Sequence, residues 1–524
     1  MDGNPIRKVY RLQENRYYTR DELAHELGDC SPEAVDAFVR YMRNNAVCKS
    51  DSSDKSVSFR YVGLVEFVST KSSSPERRIV FVEPKFFPEK RAVDKIEGVD
   101  AAQKIVLKAI LKYRKAQQVS LFSNGRITSY EGCSTRLSTY LALIIDVMEK
   151  GIYQVPKEEL VVNGQGDVDW NETFVSLDPF FLQDGPCYAN TVNREIGYDD
   201  DTYISRLQMC LAMKCLAYFE DLGIAEPLGL FLETPYDGEL SDFGSDTYQQ
   251  YRLANELRTQ FVDDKKQSLR LMQAVLENKT YGADSLEFQS FGISGFHALW
   301  EKAIKEVFGD ELEKTPDQIG IKLKDVSKPK LHKPLKEFIE APRWVLSDSQ
   351  KDNEGIEAKI EGETDRLKPD FVAISKNEGR GVLYILDAKY YMPKSSDRSI
   401  SGVPGVGDID KQLLYQLAYQ ELISENNLVV ENAFLFPMYI EPKLDSKNLS
   451  VKLFATVRVP ILATALDKPE FRTYLLDGIS LLRRYVYNED DDANHGLLRA
   501  TISSKVIDED LDTTEWAKNT KDDN

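Results

Sequence analysis

One segment constrains this chain more than any other. Val382–Tyr391, VLYILDAKYY, is an apolar run with one aspartate and one lysine set into it. Apolar residues stand at both odd and even positions, so a strand here is covered on both faces and lies inside a sheet. Asp387 and Lys389 are two residues apart and emerge on the same face. Upstream, Lys368–Ile374 also reads as a strand, and Ser375–Gly381 supplies turn chemistry through Asn377, Gly379 and Gly381. With a loop over 376–381, Ser375 pairs with Val382. Counting back then sets Asp370 opposite Asp387, with Cα atoms about 4.5–5.5 Å apart. Two carboxylates and one ammonium converge on an otherwise apolar sheet.

Two close carboxylates repel, and one takes up a proton unless a cation offsets them. Mg²⁺ (or Mn²⁺) suits such a pair, because it takes oxygen ligands and keeps several waters. It polarises a phosphate and lowers the pKa of a bound water. Lys389 then orients or deprotonates that water, or neutralises charge building on the phosphate. The competing reading is a structural Asp–Lys–Asp ion cluster.

Two helices flank this segment. GFHALWEKAIKEVFGDE sets Phe296, Leu299, Trp300, Ala303, Ile304, Val307 and Phe308 on one stripe, with Glu301 at its edge. Glu301 is therefore a candidate third acid of the metal site, against a solvated flank of the helix. In DIDKQLLYQLAYQELIS, residues 408–424, Gln412 and Gln416 lie one turn apart. Either amide suits an attacking water or a phosphate oxygen, against plain surface polarity.

A chain of 524 residues exceeds one ordinary core, and its pattern divides. Residues 1–92 read as helix, helix, hairpin, the order of a winged helix-turn-helix. Thr19 caps RDELAHELG, Ser31-Pro32-Glu33 starts a helix that buries Val35, Phe38, Val39 and Met42, and β-like runs follow at Ala46–Lys49 and Val57–Phe67. Arg40, Arg43, Lys49, Lys55 and Arg60 give this unit a positive, candidate DNA-binding face; a protein-interaction domain is the alternative. Residues 93–280 are mainly helical, with a turn-rich NGQGDVDWNET at 163–173. Residues 281–485 alternate helix and strand, and 486–524 read as an acidic flexible tail. The expected fold class is α+β multidomain. The net charge of −19 weighs against nucleic acid, yet much of the acid sits in the tail, and a local basic face suffices for binding. The six cysteines form no CxxC pair and lie apart from the histidines, which argues against zinc and for free thiols in a reducing compartment. No apolar run reaches the roughly 20 residues of a membrane span. The N-terminus has no secretory signal, so a cytoplasmic location is expected.

Pro369-Asp370 and Asp387-Ala388-Lys389 resemble the two motifs of the PD-(D/E)xK nucleases. More narrowly, GQGDVDWNET at 164–173, FGISGFHALWE at 291–301, ILDAKYY at 385–391, KQLLYQLAY at 411–419 and FLFPMYI at 434–440 resemble the LlaJI-type restriction endonucleases and the McrC nuclease subunits. The resemblance implies a C-terminal PD-(D/E)xK core, a mixed sheet flanked by helices, that cuts double-stranded DNA in defence against foreign DNA. It implies Asp370 and Asp387 as metal ligands, Lys389 as the catalytic lysine, Glu301 as the helical acid, and one of Gln412 or Gln416 as the glutamine after the core strand. It also implies a separate AAA+ GTPase (McrB-like) partner, since this chain has no GxxxxGK[ST] loop. A non-catalytic DNA-binding or NTPase-stimulating subunit is the alternative; an intact Asp, Asp, Lys set argues against it.

Overall fold

A computed structural model of the protein describes residues 9–51, 53, 55–69, 76–89, 99–122, 136–233, 235–277, 288–319, 332–340, 344–346, 356–358, 367–377, 380–396, 399–440, 449–462 and 470–488. The expected tail lies outside them from residue 489 onward.

The chain opens with β1 (Val9–Gln13), β2 (Tyr17–Thr19), α1 (Arg20–Glu26), α2 (Pro32–Asn44), β3 (Cys48–Ser50), β4 (Ser56–Phe59), β5 (Val62–Ser69) and β6 (Glu76–Glu83). The Thr19 hydroxyl accepts from Glu22 N, and the Glu22 carboxylate accepts from Thr19 N, so α1 starts on a capping box. Ser31 caps α2, with Pro32 in its first turn, and α2 buries Val35, Phe38, Val39 and Met42. The run expected as one strand over 57–67 breaks at Arg60-Tyr61. Its first part, β4, joins the small antiparallel sheet β2-β4-β3. Its second part, β5, joins a four-stranded sheet whose last strand, β12 (Gln289–Ile293), comes from far along the chain. Gly63 and Gly292 meet there. A Cβ on either would lie 2.3 Å from the opposing backbone oxygen, so this close approach requires glycine on both sides.

The middle of the chain carries α3 (Ala101–Phe122), α4 (Arg136–Lys150), β7 (Val155–Val162), β8 (Asp167–Val168), α5 (Trp170–Ser176), β9 (Phe180–Leu182), β10 (Gly185–Cys187), β11 (Val192–Asp199), α6 (Tyr203–Asp221), α7 (Ala225–Leu228), α8 (Asp246–Thr259) and α9 (Asp263–Glu277). The strands over 155–199 depart from the mainly helical expectation. β7 pairs antiparallel with β11 along its whole length, and the NGQGDVDWNET turn folds back so that β8 adds to the other side of β11. This β-rich stretch leaves large apolar side chains in solvent. Val175 is 82 % and Phe181 81 % exposed, and Trp170, Phe174, Phe180, Leu182 and Ile196 are exposed with them.

The last part contains α10 (Phe296–Phe308), β13 (Trp344–Leu346), β14 (Ile356–Ala358), β15 (Phe371–Asn377), β16 (Arg380–Ala388), β17 (Lys394–Ser396), β18 (Ser399–Ser401), α11 (Val406–Ala418), α12 (Gln420–Asn426), β19 (Val429–Met438), β20 (Val451–Arg458), β21 (Glu470–Asp477) and α13 (Gly478–Tyr487). Five strands form one mixed sheet in the order β15-β16-β19-β21-β20. β16 is antiparallel to β15 and parallel to β19, with α11 and α12 in the crossover between them. Alternate residues part to the two faces. Phe371, Ala373, Tyr384 and Leu386 share a core with Trp300 and Ile304 of α10; Val372, Ile374, Leu383 and Ile385 share another with Tyr415 and Tyr419. The outer edge of β15 is covered by acids: Asp310 Oδ1 accepts from Val372 N at 3.1 Å, and Glu311 Oε2 from Ile374 N at 2.9 Å. The first of the two cores is continuous from β5 and β6 through α3 and α10 to the five-stranded sheet. The chain as a whole is mixed α/β.

Candidate active site

The β15–β16 register is the counted one: Ser375 pairs with Val382. Pairing then continues through Lys376–Gly381 to Asn377–Arg380, so the turn is tighter than the expected 376–381 loop. At the other end the last pair is Phe371–Leu386, which leaves Asp370 next in line opposite Asp387. Both aspartates follow the parity of Val372, Ile374, Leu383 and Ile385, the face covered by α11. Asp370 Oδ2 accepts from Ala388 N at 3.0 Å, and the two carboxylates lie within hydrogen-bonding reach of each other. Burial first, and then the charge and proximity of Asp387, push the Asp370 carboxyl up to about 7, against the lowering effect of Ala388 N and Lys305. Asp387 is 5 % exposed, and its buried Oδ1 has no hydrogen-bond donor.

Lys389 lies on the same side. Its Nζ is 3.2 Å from Asp387 Oδ2 and 3.2 Å from Asp408 Oδ1, over the ring of Phe434. Burial alone lowers its affinity for a proton, but Asp387 and Asp408 outweigh that and hold the ammonium firmly charged. Asp408, in the first turn of α11, escaped the sequence reading, as did Tyr415. The Tyr415 hydroxyl donates to Lys368 O at 3.0 Å and fixes the chain just before Pro369-Asp370. Burial, and then the charges of Asp387, Asp370 and Asp408, push that hydroxyl's pKa up. The signal for both residues was available: 408, 412 and 415 follow the helical spacing that had already singled out Gln412.

The other expected residues are placed differently. Glu301 sits on α10, against the opposite face of the sheet, and its carboxylate bonds Lys305 at 2.5 Å. Lys305 is the cation that acts on Asp370, so Glu301 reaches the pair through Lys305 rather than by joining it. Gln412 and Gln416 are both buried around Asn432 of β19. Gln412 Nε2 donates to Asn432 Oδ1 at 2.6 Å and to Ile385 O at 3.1 Å, and Asn432 Nδ2 donates to Gln416 Oε1 at 3.0 Å. Gln412 thus braces α11 onto β16, the strand that carries Asp387, and both amides tie α11 to β19. In the N-terminal part, Arg40, Arg43, Lys49, Lys55 and Arg60 are all exposed, and Arg43 also bonds Ser50 Oγ at 2.5 Å.

Asp387 and Asp408 thus share the Lys389 ammonium, Asp370 stands against Asp387, and Lys305 is already matched by Glu301. When all are ionised the deficit is two positive charges, and an oxygen of Asp387 is left without a partner. The oxygen donors of Asp370 and Asp387 would fit a hard divalent ion, which takes oxygen ligands. Among the described residues, no three or more Asp, Glu, His or Cys side chains are grouped so that they could hold a metal. Among the described residues, no helix is long and apolar enough to cross a membrane.

A family model described as LlaJI restriction endonuclease matches residues 61–467. The chain is 25 % identical over 438 residues to the type II restriction enzyme BsuMI component YdjA of Bacillus subtilis (strain 168), covering 81 % of this chain and 80 % of that protein. A structural similarity is found to a half-complex of Thermococcus gammatolerans McrB AAA+ hexamers with bound McrC, at 12 % identity and a TM-score of 0.34, covering 92 % of this chain and 100 % of the other.

Proposed function

The chain belongs to the LlaJI restriction endonuclease family, and from that premise we propose that it is a divalent-metal-dependent deoxyribonuclease that hydrolyses phosphodiesters of double-stranded DNA in defence against foreign DNA. The observation that supports this most is the Asp370–Asp387 pair, held face to face beside an ammonium with one buried oxygen unpartnered. A structural ion cluster has no use for that surplus of negative charge. In this reading residues 281–485 are a PD-(D/E)xK core, and residues 1–92 meet DNA through Arg40, Arg43, Lys49, Lys55 and Arg60.

Asp370 and Asp387 would hold Mg²⁺ (or Mn²⁺), which when bound would polarise a phosphate oxygen and lower the pKa of a water. Lys389 stabilises the charge that builds on the phosphate, and Asp408 keeps its ammonium aimed at the pair. Tyr415 and Gln412 fix the segments on which the aspartates stand. An AAA+ GTPase partner is implied by the sequence resemblance alone; the chain has no phosphate loop with which to supply that motor itself. The exposed apolar side chains over 155–199, Trp170 and Phe174 in ring contact among them, are where such a subunit would bind.

The test is plasmid cleavage in Mg²⁺, with and without the partner, by the wild type and by Lys389→Ala. Cleavage by the wild type alone supports the nuclease reading. Equal cleavage by both removes it. Stimulation of a partner NTPase with no cleavage by either protein would favour the non-catalytic alternative.

A further inference from the structure

Tyr390 follows Lys389 directly but goes into the core instead of the site. It is 8 % exposed, and its ring packs on Phe296 at 5.3 Å and Phe86 at 6.4 Å. Phe296 is the first residue of α10, the helix that carries Glu301 and Lys305. The ammonium of Lys85 lies 4.2 Å from the ring centroid. The Tyr390 hydroxyl donates to Glu14 Oε2 at 2.6 Å, an oxygen that also accepts from Lys85 N at 3.2 Å. Glu14 comes from the turn after β1 and is only 5 % exposed. Residues of the N-terminal strands, the start of α10 and the strand end that bears Lys389 therefore meet on one tyrosine.

A phenylalanine would fill the same apolar hole. The hydroxyl and a buried carboxylate from the far end of the chain add desolvation cost in exchange for a fixed position. Regular strand pairing has run out at this place. β16 ends at Ala388, and beyond it Lys389 keeps a main-chain bond to the sheet, its N–H donating to Leu435 O at 3.0 Å.

We propose that Tyr390 is a positioning residue for cleavage: held by Glu14, it fixes the main chain that carries Lys389 and makes the active centre depend on the seating of the N-terminal strand. The catalytic consequence rests on the nuclease reading above; the clamp itself does not.

The test compares Tyr390→Phe, Glu14→Ala and Glu14→Gln in the full chain. Tyr390→Phe keeps the ring, and Glu14→Gln keeps an acceptor for the hydroxyl. Tyr390→Phe and Glu14→Ala should lower kcat about ten- to hundredfold with KM for DNA unchanged, as a displaced catalytic group does, and Glu14→Gln should restore the rate. Amide exchange, read on the metal-free protein, should rise at 388–391 in Tyr390→Phe and Glu14→Ala and stay unchanged at 382–386. Wild-type kcat in Tyr390→Phe, or unchanged exchange at 388–391, overturns the proposal. So does a rise in exchange spread over the whole sheet, which marks a merely structural contact. If the wild type cuts no DNA, the nuclease reading fails by itself and the exchange measurement still decides the clamp.

Discussion

Asp370→Asn should stabilise the metal-free protein while it destroys activity. In the native fold the Asp370 carboxyl titrates at about 7, chiefly from burial and then from Asp387, against 3.8 when free. A raised acid holds the fold best below its free pKa, and that advantage is lost as pH rises through the native value. At about 1.4 kcal/mol per tenfold in proton affinity, the ionised, metal-free fold carries a penalty of about 2–4 kcal/mol. Asparagine removes it. Its oxygen can still accept from Ala388 N, and its amide can donate to the Asp387 carboxylate. Urea unfolding in EDTA should therefore find the variant more stable than the wild type, with a gap that widens by about 2–3 kcal/mol from pH 5 to pH 8. Added Mg²⁺ should narrow or reverse the gap, because only the wild type keeps both carboxylates. A gap that is flat with pH, or a variant less stable than the wild type at pH 8, would refute the reasoning.

Three further outcomes are expected. Asn432→Leu should cost about 1–3 kcal/mol in urea unfolding, because it removes the donor to the buried Gln416 Oε1, while Gln412 Nε2 keeps Ile385 O. Val175→Asp with Phe181→Ser should leave the melting temperature nearly unchanged, these side chains being exposed, yet weaken association with the partner NTPase in a pull-down or sedimentation assay. Arg40→Glu with Arg43→Glu should weaken DNA binding uniformly across sequences, and the salt dependence of log Kd should become shallower by about 1 for each phosphate no longer neutralised.

The carboxylate pair was legible because it depends on local rules. A period of two and a hairpin count are enough to set Asp370 against Asp387 and Lys389 on their face, and even the turn that proved tighter left the register intact. The helices were legible as helices but not as neighbours. The stripe on α10 tells which side of the helix is buried, not which face of the sheet receives it, and it packs on the face away from the pair. Glu301 accordingly meets Lys305, while Asp408 on α11 takes the place beside Lys389. Gln412 and Gln416 were found by spacing, but their shared partner Asn432 lies on a later strand that no helical pattern marks. The strands over 155–199 were hidden for a different reason. In β7 nearly every residue faces solvent, so the alternation that normally marks a half-buried strand is missing there.

The central claim is that Asp370 and Asp387 share one divalent ion. It is tested most directly by titrating the metal-free protein with Mn²⁺ and following free ion by electron paramagnetic resonance, for the wild type and for Asp387→Asn. One bound ion in the wild type, lost in the variant, is the predicted result. Equal binding by both proteins, or none by the wild type at millimolar Mn²⁺, would contradict the account.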